Sequence, residues 1–556
     1  MSRVDTLVRG TLVNVNTGVL EDRAIAIDDG EIVALEERPA DRELEAEYVA
    51  PGLIDAHVHV ESSMVTVAQY GEAMVPRGVT SIVHDPHEIA NVLGADGVRA
   101  AFDDARQTPL KVRFGVPSSV PASTLQDGGA TLDADAVASL LDHELVVALA
   151  EVMDLPALVG GDEDLHAKIE AARERDLTVD GHLPRVSGSD LQEAARFLDN
   201  DHESITRTEA REKIDLGFRV YLREGSSTKN LADLVGLVDD VPTRRLSLCT
   251  DDRDVVDLVE NGGVDFAVRK AIDEGVDPVE AVQMATLNTA ESYDLPFGRI
   301  EPGAPADLVL LEDLESWRVE HVLVDGDIDP TATERDPPST ALSTGTVDFE
   351  PVTAADLALA APASTAERAE VRVIDLVEGI QTGRAEASLP VVDGTIHPAP
   401  DEDVLPIAVV ERHGTDAGIG RGFVSGLGLE RGAIGSTVAH DAHNCVVAGA
   451  SYDTMARVAN HLRDVDGGIA VCEPDGDGAE MSSIPLPVAG LMSDDPLAAV
   501  YERFKAVTDR AEALGLDRHG LMTLSFLALE VIPEYRLTNR GLVDVERWDH
   551  VDVVIE

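Results

Sequence analysis

Between residues 51 and 299, apolar strand-like runs alternate with helical stretches, the pattern of a parallel sheet covered by helices. The runs are GLIDAHVHV, VTSIVHDP, KVRFGVP, LVVALAEVM, LTVDGHL, FLDNDHESI, FRVYLREG and LSLCTDD, the sixth being the weakest. Eight such units in about 250 residues match the length and count of a (β/α)8 barrel, whose reactive groups sit at the C-terminal ends of its strands. Polar residues cap those ends here: His57, His59, Asp85, His87, Glu151, His182, His202, Arg223 and Asp251.

The flanks read differently. Residues 5–50 form short strands, with TLVNVNTG and AIAIDDGEIVALEE each broken by the Gly, Asn and Asp that hairpins favour. A similar texture returns at 306–327 after the turn-rich GRIEPGAP. The two ends are therefore expected to pair into one small β-sandwich from 1–50 and 300–345, with the barrel, 51–299, inserted between them. A stretch rich in Pro, Thr, Ala and Ser from 336 to 365 marks a boundary, and a further α+β domain is expected over 346–556.

Charge narrows the function. The formal net charge is −61, and only six of the 44 basic residues are lysine. Such a field repels phosphate backbones and anionic lipid, which removes nucleic acid and membrane surfaces as partners. Abundant carboxylates with little lysine resemble the proteins of salt-loving microbes, where salt screens the self-repulsion. Disorder is the competing reading, but the acidic residues are interleaved with apolar ones at helix and strand periods. Cys249, Cys445 and Cys472 are too few and too scattered for a disulfide framework. With neither a signal pattern nor an apolar run of membrane-spanning length, the expectation is a cytoplasmic protein.

His57 and His59 lie two apart on a strand, so both imidazoles share a face with Asp55 and could grip one divalent metal. Alone, an HxH is more often a pair of ordinary polar residues, and Glu151, His182, His202 and Asp251 could each be a helix cap or a hydrogen-bonded loop residue. Together, six nitrogen and oxygen donors at strand ends 1, 4, 5, 6 and 8 converge on one barrel mouth and suit two divalent ions.

The order HxH, Glu, His, His, Asp resembles the amidohydrolase superfamily. Strand 4 lacks the lysine often found there and offers Glu151 as the bridging group. The motifs PGLIDAHVHVESSM, HDPHEIANV, AEVMD, DGHLP, DHESIT, REGSSTKNL and TDDR are similar to those of the adenine deaminase family. RGAIGSTVAHDAHN (431–444) and SSIPLPVAGLMS (482–493) extend the resemblance into the C-terminal domain. It implies purine salvage by hydrolysis of adenine to hypoxanthine and ammonia, at two divalent ions, manganese or iron(II), with zinc also compatible with the donors.

On that reading His57, His59 and Asp251 bind one ion, His182 and His202 the other, and Glu151 bridges both. A metal ion lowers the pKa of bound water from 15.7 to about 7, and Asp251 would carry its proton to the departing amine. The resemblance suggests that Asp85 and His87 assist proton transfer or hold the purine, although an Asp-Pro-His turn also serves local hydrogen bonding. Arg223 and Glu224 could contact the base, the alternative being ion pairing at a barrel rim. His443, in the AHDAHN motif with His440 and Asp441, is a candidate substrate contact; metal ligation or a structural hydrogen-bond network would use the same residue types. A small purine and a homo-oligomeric state are the expected partners. The rival readings are an amidohydrolase acting on another amino-heterocycle or cyclic amide, and a catalytically silent scaffold. A nucleic-acid deaminase with a PCxxC zinc signature is excluded, since the chain has no CxxC.

Overall fold

The structure, a computed structural model, describes residues 3–226, 228–331, 345–362, 367–378, 381–415, 418–475, 478–516 and 520–555. Of the boundary stretch, 336–344 and 363–365 lie outside the described residues.

Every expected barrel run forms a strand, and all pair in parallel. In chain order they are Leu53–His59, Val79–His84, Lys111–Pro117, Val146–Val152, Thr178–Gly181, Asn200–Asp201, Arg219–Arg223 and Leu246–Cys249, the last continued by Asp251–Asp252. That continuation pairs with the first strand, Asp251 opposite Val58, and closes a (β/α)8 barrel. The sixth strand is two residues long yet pairs on both sides, Asn200 opposite Asp180 and opposite Arg219. Its polar side chains are used inside the barrel: Asn200 Nδ2 donates to Asp180 Oδ1 at 2.5 Å and to the Tyr221 hydroxyl at 3.0 Å, and the Tyr293 hydroxyl donates to Asp180 Oδ1 at 3.1 Å. Burial holds the Asp180 carboxyl up to about 7, so hydrogen bonding stands in for the hydration it has lost.

The two flanks meet in one seven-stranded sheet. Val4–Asn14, Val19–Asp28, Glu31–Ala34 and Ala40–Pro51 are joined by Leu308–Asp313, Arg318–Val324 and Asp327–Ile328, with Leu308 antiparallel to Pro51. Alternate residues of these strands, among them Val8, Leu12, Ile25, Ile27, Leu308 and Leu310, form one apolar core.

The chain divides into two compact units. Residues 87–100 and 120–131 lie within the barrel's span of sequence but belong with the C-terminal part, from 345 onward. The barrel, with its flanking sheet, makes up the other unit. In the second unit a nine-stranded sheet runs from Thr395–Ile396 at one edge to Gly478–Pro485 at the other. The helix Tyr452–Asp464 packs on it through Met455, Val458, Ala459 and Leu462. Ile89 and Val92 join the core of this unit beside Val488, Leu491 and Met492, and Leu125 packs with Val543 and Val545. Among the described residues no helix is long and apolar enough to cross a membrane.

Candidate metal centre

Strand geometry brings all six expected ligands together. His57 and His59 alternate on the first strand, and their Nε2 atoms stand 3.1 Å apart. His59 Nδ1 is 3.0 Å from the Asp85 carbonyl, which can only accept, so Nδ1 carries the proton and Nε2 presents its lone pair. Asp251 Oδ1 lies 3.1 Å from His59 Nε2 and 3.5 Å from His57 Nε2. Glu151, at the end of the fourth strand, sits among all four histidines. Its Oε1 is 2.9 Å from His202 Nε2, 3.1 Å from His182 Nδ1 and 3.6 Å from His57 Nε2, and its Oε2 is 3.6 Å from His59 Nε2. The His57 ring stacks on His202 at 4.3 Å.

These separations fit metal ligation. Two ligands about 2.1 Å from one tetrahedral ion stand about 3.4 Å apart, close to what the donor pairs here show. His202 Nε2 lies 2.9 Å from Glu151 Oε1, an approach that two ligands of one cation would make. Burial, aided by His202, pushes the His57 imidazolium down, which keeps its lone pair available. Burial opposes protonation of His182 as well, yet Glu203 and Glu151 raise it to about 9, so ligation there exchanges protons for metal. A set of four imidazoles and two carboxylates suits divalent zinc, manganese or iron(II).

Several residues that hold the ligands are invisible to strand-end reasoning. Asp55 shares the face of His57 but turns to the eighth strand, its Oδ2 accepting from Thr250 Oγ1 at 2.6 Å and its Oδ1 from Thr250 N–H at 3.0 Å. It thereby fixes the residue before Asp251. Lys213, fully buried, donates to Asp201 Oδ2 at 2.8 Å and to the Leu183 carbonyl at 2.7 Å. Asp201 in turn accepts from the N–H groups of Leu183, Glu203 and Ser204, so one lysine–carboxylate pair sets the loops carrying both His182 and His202. At Gly181 a Cβ would stand 2.6 Å from the Asn200 carbonyl, so the fifth and sixth strands meet only because His182 is preceded by glycine.

The remaining expected residues divide. Arg223 is buried and ion-pairs with both Asp251 and Glu203. Although burial favours a protonated Asp251, Arg223 and hydrogen bonds from the histidines hold its carboxyl well below the usual range. Glu203 also approaches His202 at 3.5 Å; it lies in the DHES motif but was not singled out from sequence. Glu224 is taken up by Lys270, whose Nζ is 2.8 Å from both of its oxygens. Asp85 is buried at the end of the second barrel strand. His87 and His443 lie in the second unit, where His443 is buried and its Nδ1 accepts from the Ala439 N–H at 3.1 Å.

The amidohydrolase family model matches residues 48–328, and that of the adenine deaminase C-terminal domain matches 379–549. An adenine deaminase of Desulfatibacillum aliphaticivorans is 39% identical over 560 aligned residues, covering 98% of this chain and 96% of that protein. That of Salinibacter ruber is 39% identical over 556, covering 99% of each. Among solved structures, enamidase, an amidohydrolase, is similar with a TM-score of 0.43 and 19% identity, over 60% of this chain and 98% of that one. By whole-length likeness and by its two matching domains, the chain belongs to the adenine deaminase family.

Proposed function

We propose that this chain hydrolyses adenine to hypoxanthine and ammonia, with His57, His59, Glu151, His182, His202 and Asp251 holding two divalent ions. The observation that carries the reading is the position of Glu151, with a histidine nitrogen within 3.6 Å on every side, as a ligand shared by two ions requires. Manganese is the proposed metal, with iron(II) or zinc compatible with the same donors. Two such ions would supply Lewis acidity and draw the pKa of water towards neutrality.

The chain's own residues then manage protons and orientation. Asp251 takes a proton as water adds to C6 of the purine, and gives one to the amino group as it leaves as ammonia. Arg223, tied to Asp251 and Glu203, orients that carboxylate, so its part is positioning. Asp85, at the end of the second strand, assists proton transfer to the ring. Whole-length likeness to proteins named adenine deaminase supports the substrate. The net charge of −61 supports a cytoplasmic salvage enzyme of a salt-adapted cell.

A substrate panel tests the assignment. Ammonia release should be fastest from adenine when adenine, guanine, a pterin and a cyclic amide are compared. A faster reaction on any of the others would move the chain to that amidohydrolase chemistry.

A further inference from the structure

We propose that the floor of the barrel carries an anion site, a cleft at the N-terminal ends of the fifth to eighth strands that takes a phosphate monoester through Arg219 and Arg245. The cleft, of about 400 Å³, is lined by Arg173, Arg219 and Arg245 together with Asp176, Thr178 and Asp199. Thr178 and Arg219 are the first residues of the fifth and seventh strands, Asp199 immediately precedes the sixth, and Arg245 the eighth. The cleft therefore lies at the end of the barrel opposite His57, His59 and the other expected ligands, which sit where the strands finish.

Charge sets this cleft apart from the rest of the chain. Acidic residues outnumber basic ones 105 to 44, yet here three guanidinium groups face two carboxylates. Asp199 is taken up by Arg173, whose Nη1 and Nη2 donate to its two oxygens at 2.7 and 3.1 Å. Arg219 has no such partner. Its Nη1 donates to the carbonyls of Arg244 and Asn288 at 2.7 and 3.2 Å. The carboxylate oxygen facing its Nη2, Glu291 Oε2, stands off at 3.7 Å and accepts instead from Arg244 Nε at 3.2 Å. Arg245 forms no ion pair among the described residues, and its Nη1 donates to the Gly217 carbonyl at 2.9 Å.

The Arg219 side chain is only 20% exposed. Burial lowers its pKa, and although Tyr221 acts the other way, Arg245 and Arg244 press it further down. Guanidinium groups that repel one another, one of them largely withdrawn from water, are stabilised by an anion placed between them. Arginine offers paired N–H donors that match the oxygens of a phosphate. The volume is that of a small-molecule pocket, roughly 300–1,000 Å³, and exceeds what a lone phosphate fills. Asp176, exposed at the wall and in no ion pair among the described residues, repels a bare anion but accepts from a hydroxyl. The phosphoryl group therefore belongs on the arginines and a hydroxyl-bearing body beside Asp176. The rim is open at Gly217, where an added Cβ would meet nothing within 4 Å.

Calorimetric titration of the metal-loaded full chain tests the site, with ribose 5-phosphate and orthophosphate as probes at one ionic strength held with KCl. Ribose 5-phosphate should bind once per chain, and Arg219→Gln/Arg245→Gln should weaken it about tenfold or more, as the loss of charge-assisted hydrogen bonds requires. Orthophosphate should bind more weakly than the ester, and tighter binding of orthophosphate would overturn the assignment to an ester. No binding by the wild type, or binding that survives in the double variant, as it would at ions in the barrel mouth, would overturn the site. Should the double variant fail to fold, Arg245→Gln alone, at an exposed position, decides: a loss of about threefold or more supports the site, and unchanged affinity refutes it. The titration reads no turnover, so its result stands whatever substrate the barrel takes.

Discussion

Lys213 offers a quantitative test of how the barrel mouth is held. Its ammonium is fully buried against Asp201, also fully buried, and against the Leu183 carbonyl. Replacing it by methionine keeps the stem and leaves the Asp201 carboxylate buried beside backbone donors without its cation. Breaking a buried pair in this way costs about 3–5 kcal/mol. In a unit of this size each kcal/mol moves the melting temperature by roughly 2 °C, so Lys213→Met should melt about 6–10 °C lower in a thermal scan at fixed salt and metal. Because Asp201 also fixes Leu183, Glu203 and Ser204, ligands His182 and His202 should loosen, and metal affinity should fall about 10–100-fold. Lys213→Met/Asp201→Asn should recover part of the stability loss, since it removes the stranded charge, and a double-mutant cycle measures that coupling. A melting shift below about 2 °C, or strictly additive single losses, would refute the reasoning.

Other outcomes follow from the same geometry. Glu151→Gln removes the shared ligand charge and should lower bound metal below two ions per chain, with turnover down by more than about 100-fold; metal analysis beside the ammonia assay checks both. Arg223→Met should reduce kcat by about 10–100-fold with little change in KM, since Arg223 orients Asp251; a rise in KM at constant kcat would show that it binds the purine instead. Burial, only partly countered by a hydrogen bond from Ser123, holds the Glu530 carboxyl up to about 8. The folded state therefore keeps a proton that the unfolded chain releases near its model value of 4.5, and this stabilisation is lost as pH rises from about 5 to about 8. Melting curves of Glu530→Gln should lack that decline. With a net charge of −61, the protein should also melt higher in about 1 M than in 0.1 M salt, where the Debye length falls from about 10 to 3 Å.

The barrel was legible because its strands end in residues that a covered sheet would not otherwise bury. His57, His59, Glu151, His182, His202 and Asp251 all meet, although the sixth strand shrinks to Asn200–Asp201. What sequence could not show is which polar residues face one another across the barrel. Thr250, Lys213 and Glu203 carry no strand-end signal, yet each meets a ligand-bearing segment through contacts remote in sequence, Thr250 with Asp55, Lys213 with Leu183, and Glu203 with His182 and Arg223. The ion pairs of Arg223 with Glu203 and Asp251, and of Glu224 with Lys270, were likewise beyond the sequence, which offered both residues as base contacts. The grouping of 87–100 and 120–131 with the C-terminal unit left no periodic signal, because it depends on apolar contacts such as those of Ile89 and Leu125 with residues hundreds of positions later.

The central claim rests most directly on adenine turnover by metal-loaded enzyme. Protein reconstituted with manganese in high salt should convert adenine to hypoxanthine with one ammonia released per purine, followed by absorbance between about 250 and 265 nm. The activity should vanish on chelation and return with metal. A folded, metal-loaded protein that releases no ammonia from adenine, or that keeps its activity after the metal is stripped, would contradict the account.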